Sequence, residues 1–341
     1  MSSNPLRICH PFIFSSLQLA TFLLLSVSVQ AQASADNAGL SGIQQLPTRT
    51  IDYTFLVAPV TATGDTLEFY TDTGGGIPIV WQAANKRLSL PVDSSNIQGR
   101  TMPVVDFPLL EKSATIPQLS SDYDQFVLYD KPAYIPGNTG FLGHSWFANR
   151  CWRFDYERGE LSYIQSIDWA ARPAQHRVNV SFKCNDVGQV THQYPRIPVI
   201  IAGDTFKVLF DTGAMIFLSD EARDRLGRQD DRRLAGSYLK ASVFDQLRSD
   251  HPEWQFIAGG DQLGTKKSDL LRVPELTIAG TTVGPVWFAK RSDRVYEKGG
   301  MMANLMPLPI HGAIGGSAFK YFTIIIDYQQ AKAEFQRNTV R

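Results

Sequence analysis

With 341 residues, 43% of them hydrophobic, the chain is long enough to bury two ordinary cores, since single domains usually run to roughly 100 to 150 residues. Lys and Arg total 33 and Asp and Glu also total 33. No net field is available to hold a nucleic acid or an anionic membrane surface, so neither is implied as a partner.

The first 33 residues have the pattern of a secretory signal peptide. Apart from His10, Arg7 is the only charged residue before Asp36, and the run from Leu17 to Val29 is mostly apolar. Val29-Gln30-Ala31 and Ala31-Gln32-Ala33 put small residues where a signal peptidase cuts. A spanning anchor needs about 20 continuous apolar residues. This run is shorter and contains Ser26 and Ser28, so the expectation is an exported bacterial protein, periplasmic or secreted, with no stable membrane anchor after cleavage. Residues 34–50 read as a linker or short pro-segment. Cys9 leaves with the signal, and Cys151 and Cys184 remain as an even pair in an oxidising compartment. They read either as a disulfide or as two separate buried thiols.

Residues 51–170 and 171–341 read as two lobes, with the boundary near Trp169-Ala170-Ala171-Arg172-Pro173-Ala174. In the first lobe Ala62-Thr63-Gly64-Asp65-Thr66-Leu67-Glu68-Phe69-Tyr70-Thr71 leads into Asp72-Thr73-Gly74. This spacing predicts a strand, a Gly-Asp hairpin turn and a second strand ending in the motif. Later, Phe141-Leu142-Gly143-His144-Ser145-Trp146-Phe147 predicts an apolar strand ending at Gly and a short helix. Phe154-Asp155-Tyr156 then forms a strand that enters a turn.

The second lobe repeats this order. Ile201-Ala202-Gly203-Asp204-Thr205-Phe206-Lys207-Val208-Leu209-Phe210 leads, without a gap relative to the first copy, into Asp211-Thr212-Gly213. Ala313-Ile314-Gly315-Gly316-Ser317-Ala318-Phe319 and Ile326-Asp327-Tyr328 match the closing blocks at the same mutual interval. Asp72 to Gly143 is 71 residues and Asp211 to Gly315 is 104, so the second lobe carries an insertion, at about 219–270. A helix is expected from the N-cap Ser219 to about Leu226 before Gly227, and another over Ser242–Leu247. Glu275–Ile278, the turn Ala279-Gly280-Thr281-Thr282 and Val286–Ala289 read as a hairpin.

One Asp-Thr-Gly serves an ordinary turn as readily as a reaction. Two, at equivalent places in a duplicated unit, imply a pseudo-two-fold axis that brings Asp72 and Asp211 together, and two adjacent carboxylates resist ionising together. On these residues the chain resembles the retropepsin-like and pepsin-like aspartic proteases, and most closely a single-chain fusion of two retropepsin-like units. In those proteins each lobe contributes an Asp-Thr/Ser-Gly loop and a later hydrophobic-hydrophobic-Gly segment that braces it. The resemblance covers about residues 50 to 340. It implies an all-β-dominated fold of two pseudo-two-fold-related β-barrel lobes with a few short helices.

The activity it implies is endopeptidase hydrolysis of a polypeptide substrate, with no cofactor and no metal, by a monomer. Asp72 and Asp211 would share one proton and activate a water between them. Thr73, Gly74, Thr212 and Gly213 would support the carboxylates, the two threonines bonding across the axis, and Leu142, Gly143, Ile314 and Gly315 would brace the loops. Gly75-Gly76 departs from the usual Ser or Ala after the motif, which Ala214 retains, and so predicts a looser first loop. No pepsin-type flap sequence is recognisable. The flap falls either within Ser94–Val105 or in the second-lobe insertion around Ala258-Gly259-Gly260-Asp261. A catalytically silent peptide-binding protein of the same fold is the alternative reading.

Other residues are read as structural. His144 and His311 have different offsets from the bracing glycines and so no shared role, while Trp81, Trp146, Trp152 and Trp287 read as core. Asp155 and Asp327 read as turn residues, and Lys266-Lys267 as a solvated loop. No His-Glu-x-x-His, Cys-x-x-Cys or Gly-x-Ser-x-Gly pattern is present, which removes support for zinc and serine hydrolases.

Overall fold

The structure, a computed structural model, describes residues 37–97, 99–112, 116–119, 124–228 and 231–339. The signal segment 1–33, with Cys9, and the beginning of the linker lie outside the described residues. Among the described residues the chain divides into a small unit, residues 37–40 with Asp168–Arg172, and a large one, Ser41–Ile167 with residues 173–339. In the small unit Asp168 N donates to Gly39 O at 2.7 Å and Arg172 Nη1 donates to Ala38 O at 2.7 Å.

The large unit is built of β-sheets with a few short helices, as expected. An eight-stranded sheet is drawn from residues 48–142 and a ten-stranded sheet from residues 181–314. In the first, strand Phe69–Thr71 lies parallel to Gly140–Leu142, which runs antiparallel to Ile79–Trp81, itself parallel to Phe126–Tyr129. In the second, Asp204–Phe210 lies parallel to Gly312–Ile314, which runs antiparallel to Ser237–Lys240, itself parallel to Val286–Arg291. Order and direction agree element by element, so the repeat in the sequence is a repeat in topology.

A six-stranded sheet takes strands from both repeats. At its centre Cys151–Asp155 pairs antiparallel with Phe322–Asp327, with Cys151 opposite Asp327, Arg153 opposite Ile325 and Asp155 opposite Thr323. Arg153 and Ile325 are equivalent positions of the repeat, and the pairs on either side exchange under it. The register of this sheet therefore carries a pseudo-two-fold axis. Beneath the site an aromatic chain links the repeats: Phe55 to Phe154 at 5.7 Å, Phe154 to Phe210 at 6.0 Å, and Phe210 to Phe319 at 4.4 Å between ring centroids. All four side chains are fully buried, and each such burial contributes roughly 1.5–3 kcal/mol. Trp81, Trp146 and Trp152 are core, as expected, and Trp287 is half-buried against it.

Local signals account for the helices. Helix Asp220–Leu226 starts at Ser219, whose hydroxyl accepts from Ala222 N at 3.3 Å, has Asp220 and Glu221 in its first turn, and ends at Gly227 in the left-handed region (φ 64°). The second expected helix spans Ala241–Asp250.

Several expectations are corrected. Strands Leu40–Gln45 and Thr48–Ile51 form within and just beyond the segment 34–50 read as a linker or short pro-segment. The first Gly-Asp turn is not a regular hairpin. Only an isolated bridge joins Val60 to Thr66, and the motif strand begins at Phe69. Its second copy is regular, with Ile201 opposite Asp204 across Ala202 (φ 51°) and Gly203 (φ 89°). The late hairpin closes as Leu276–Ile278 on Thr281–Val283. Val286–Ala289 belongs elsewhere, beyond a proline that has no N–H for the ladder, and pairs with Lys266–Val273 and Ser237–Lys240.

Of the two readings of the cysteines, the structure holds no bond between Cys151 and Cys184. Cys151 is buried in the six-stranded sheet, whereas Cys184 is exposed at the end of a strand on the ten-stranded sheet.

Candidate active site

Each Asp-Thr-Gly follows a strand that runs beside its Gly-ended partner. Asp72 N donates to Leu142 O at 3.0 Å and Asp211 N donates to Ile314 O at 2.9 Å, so the bracing segments hold the two aspartates in the same way. Each loop then turns on itself. Gly75 N donates to Asp72 O at 3.1 Å and Ala214 N to Asp211 O at 3.3 Å. Gly74 N donates to Asp72 Oδ1 at 2.8 Å, and Gly213 N to Asp211 Oδ1 at 3.1 Å.

The structure brings the two loops face to face. A Cβ on Gly74 would sit 2.7 Å from the Asp211 carboxyl carbon, and one on Gly213 would sit 2.6 Å from Asp72 Oδ2. Only glycine lets each carboxylate lie against the opposite backbone. The threonines lock this arrangement from behind: Thr73 Oγ1 donates to Phe210 O at 2.7 Å and accepts from Thr212 N at 3.0 Å, while Thr212 Oγ1 accepts from Thr73 N at 3.2 Å. Both are buried.

Burial pushes the carboxyls of Asp72 and Asp211 above the usual carboxylate range. For Asp211 the adjacent Asp72 charge raises it further, while the hydrogen bond between the two carboxyls and amide donors from Gly74, Gly75 and Gly213 pull Asp72 back. The pair titrates as one unit whose second proton is held tightly. Such a pair presents an acid and a base side by side, able to take a proton from water and give one to an oxygen.

Gly75-Gly76 is not a loose loop. Gly75 is required because a Cβ there would collide with the Phe141 ring, and His144 pins the segment: its backbone N donates to Gly75 O at 3.2 Å and its Nδ1 lies 2.9 Å from the same oxygen. Burial pushes the His144 imidazole below its usual value, and the ring stacks on Tyr194 at 4.0 Å. His144 is thus a positioning residue that sequence reasoning set aside. His311 does something else, accepting from Lys207 N at 2.9 Å. Tyr70 was missed as well: it reaches from the first repeat and donates its hydroxyl to Gly213 O in the second. Its counterpart Leu209 cannot reciprocate, which was the available signal. Asp155 and Asp327 close turns, accepting from Arg158 N and from Gln329 N and Gln330 N, and Asp155 also pairs with the Arg153 guanidinium at 3.4 Å.

A cavity of about 410 Å³ opens onto Asp72 and Gly213. Asp261 and Leu263, from the hairpin of Phe256–Leu263 and Lys266–Val273, line it, so the second-lobe flap candidate shares a cavity with Asp72. The first-lobe candidate is the hairpin of Asp93–Ile97 and Arg100–Val105. Its Asn96 and Ile97 line a separate cavity of about 580 Å³ together with Gly76 and His144.

No protein-family model and no curated protein sequence matches the chain. Among solved structures it is similar to the aspartic proteinase from Irpex lacteus, at 11% identity and a TM-score of 0.48, over 87% of this chain and 98% of that one.

Proposed function

We propose that this protein is an aspartic endopeptidase in which Asp72 and Asp211 hydrolyse peptide bonds. The observation that carries the proposal is the reciprocal fit of the loops, each carboxylate lying on the other loop's glycine with a buried threonine lock behind. With one proton shared between them, the ionised carboxylate takes a proton from a water as the water oxygen bonds to the scissile carbonyl carbon. The protonated carboxyl gives its proton to the carbonyl oxygen. On collapse of the tetrahedral intermediate a proton passes to the amide nitrogen and the C–N bond breaks. Both carboxylates come from one chain, so the proposed enzyme acts as a monomer. The signal-like first 33 residues support export, which N-terminal sequencing of the mature protein checks.

Incubation with a denatured protein mixture from acidic to neutral pH tests the activity. Asp72→Asn and Asp211→Asn should each reduce cleavage by at least about a thousandfold, because neither carboxyl performs the paired transfers alone. Cleavage that survives either substitution would sink the dyad. A protein that binds peptides without cutting them would instead be a silent relative of the fold.

A further inference from the structure

The cavity that opens onto Asp72 is not apolar throughout. Tyr134, Phe141, Met215, Phe217 and Leu263 give it apolar walls, but Tyr238, Asp261 and Arg291 also line it. Two of these three are committed to the protein. Asp261 Oδ1 accepts from Phe217 N at 2.7 Å, and its Oδ2 accepts from Ser268 Oγ at 3.2 Å and pairs with Arg291 Nη1 at 2.7 Å. The Tyr238 hydroxyl donates to Met215 O at 2.6 Å and accepts from Met215 N at 2.8 Å. Together they hold strand Met215–Phe217, which leaves the second catalytic loop.

Arg291 is placed differently. Its bonds to Asp261, Ser268 Oγ (3.0 Å) and Lys290 O (3.0 Å) all run through Nη1, and the guanidinium lies 4.1 Å over the Tyr238 ring. A guanidinium has five N–H donors in a rigid fork; Nε and Nη2 make none of these three bonds, and a further hydrogen bond goes to the Tyr238 side chain. The Asp261 carboxylate balances the charge of the arginine, so an incoming carboxylate would be held by the fork's remaining N–H donors and not by a net positive field.

We propose that Arg291 makes this cavity a pocket for an acidic side chain, so that the preferred substrates are polypeptides carrying Glu or Asp beside the scissile bond. The proposal rests on the proteolytic reading of the same site. A carboxylate entering the pocket meets a fork in a fixed plane, the geometry that pairs it by two parallel hydrogen bonds. Gln offers one acceptor without charge, and Leu fills the walls but leaves the fork unmatched.

A randomised peptide library incubated with the wild-type protein provides the test, with both cleaved and retained peptides sequenced. At one position flanking the cut, Glu and Asp should be enriched about tenfold over Gln and Asn, the scale of a charge-assisted bidentate contact. Arg291→Gln should bring that ratio to about one, and Arg291→Lys, which keeps the charge without the fork, should hold an intermediate value. If Arg291→Gln fails to fold, the wild type alone decides, since its preference must vanish near pH 3 as substrate carboxylates protonate. Cleavage with no acidic enrichment overturns the pocket and leaves the protease reading standing. Retention of acidic peptides without cleavage keeps the pocket and overturns the protease reading, and neither cleavage nor retention overturns both.

Discussion

The two threonines occupy matched positions, yet the hydrogen bonds divide unequally between them. Thr73 Oγ1 both donates to Phe210 O and accepts from Thr212 N, whereas Thr212 Oγ1 only accepts from Thr73 N. Replacing either by Val keeps the shape and removes the hydroxyl. Thr73→Val strands two buried backbone groups and should cost about 2–4 kcal/mol, while Thr212→Val strands one and should cost about 1–2 kcal/mol. Urea unfolding of the two variants measures the difference, and equal losses would show that the lock is symmetric after all.

The dyad itself has a stability signature. Its folded-state titration is raised, so the native protein holds a proton more tightly than the unfolded chain does. That stability is fully present below the ordinary carboxylate value and is lost as pH rises towards the raised one. Asp211→Asn removes the buried like-charge pair, so it should raise Tm relative to wild type at neutral pH, and the gain should shrink towards pH 4, near the unfolded carboxylate value. A difference in Tm that is constant across this range would contradict the raised titration.

At the scale of single elements, the short helix His144–Phe147 does more than end its strand. Its first residue holds the Gly75-Gly76 segment against Asp72. His144→Phe retains a ring to stack on Tyr194 and removes the bond from Nδ1 to Gly75 O. With about 1 kcal/mol of loop positioning lost, kcat should fall by about fivefold while KM changes little. Because burial lowers the titration of this imidazole, any His144 ionisation in the wild-type pH profile should lie below the ordinary histidine value.

Elements were legible where their causes are local. The capped helix at Ser219, the closing strands at Leu142 and Ile314 and the two motif turns follow from turn residues, caps and apolar runs that lie within a few positions of each other. What the chain does not write locally was missed. Tyr70 meets Gly213 across 143 positions, and Arg291 meets Asp261 only because strand Val286–Arg291 leaves the expected hairpin for a different neighbour. Parity of cysteines likewise says nothing of distance, and Cys151 and Cys184 sit on different sheets.

At the scale of the whole molecule, the duplicated architecture was legible because duplication repeats local signals in register, and the carboxylates could be paired before any contact was known. The way the repeats are joined could not be read, since the six-stranded sheet and the aromatic chain use strands that are far apart in sequence. That joint has a thermodynamic consequence. Phe154 and Phe210 come from different repeats, are both fully buried, and belong to one continuous hydrophobic core. If each repeat were stable alone, heating would give two transitions, and Phe154→Ala would lower only the one belonging to the first repeat. A shared core instead predicts one cooperative transition by calorimetry. Phe154→Ala, which leaves the Asp-Thr-Gly loops untouched, should destabilise that single transition by about 3–5 kcal/mol without splitting it. Two resolved transitions in the wild type, or a variant in which the second repeat melts unchanged, would show that the sheet between the repeats is a contact and not a common core.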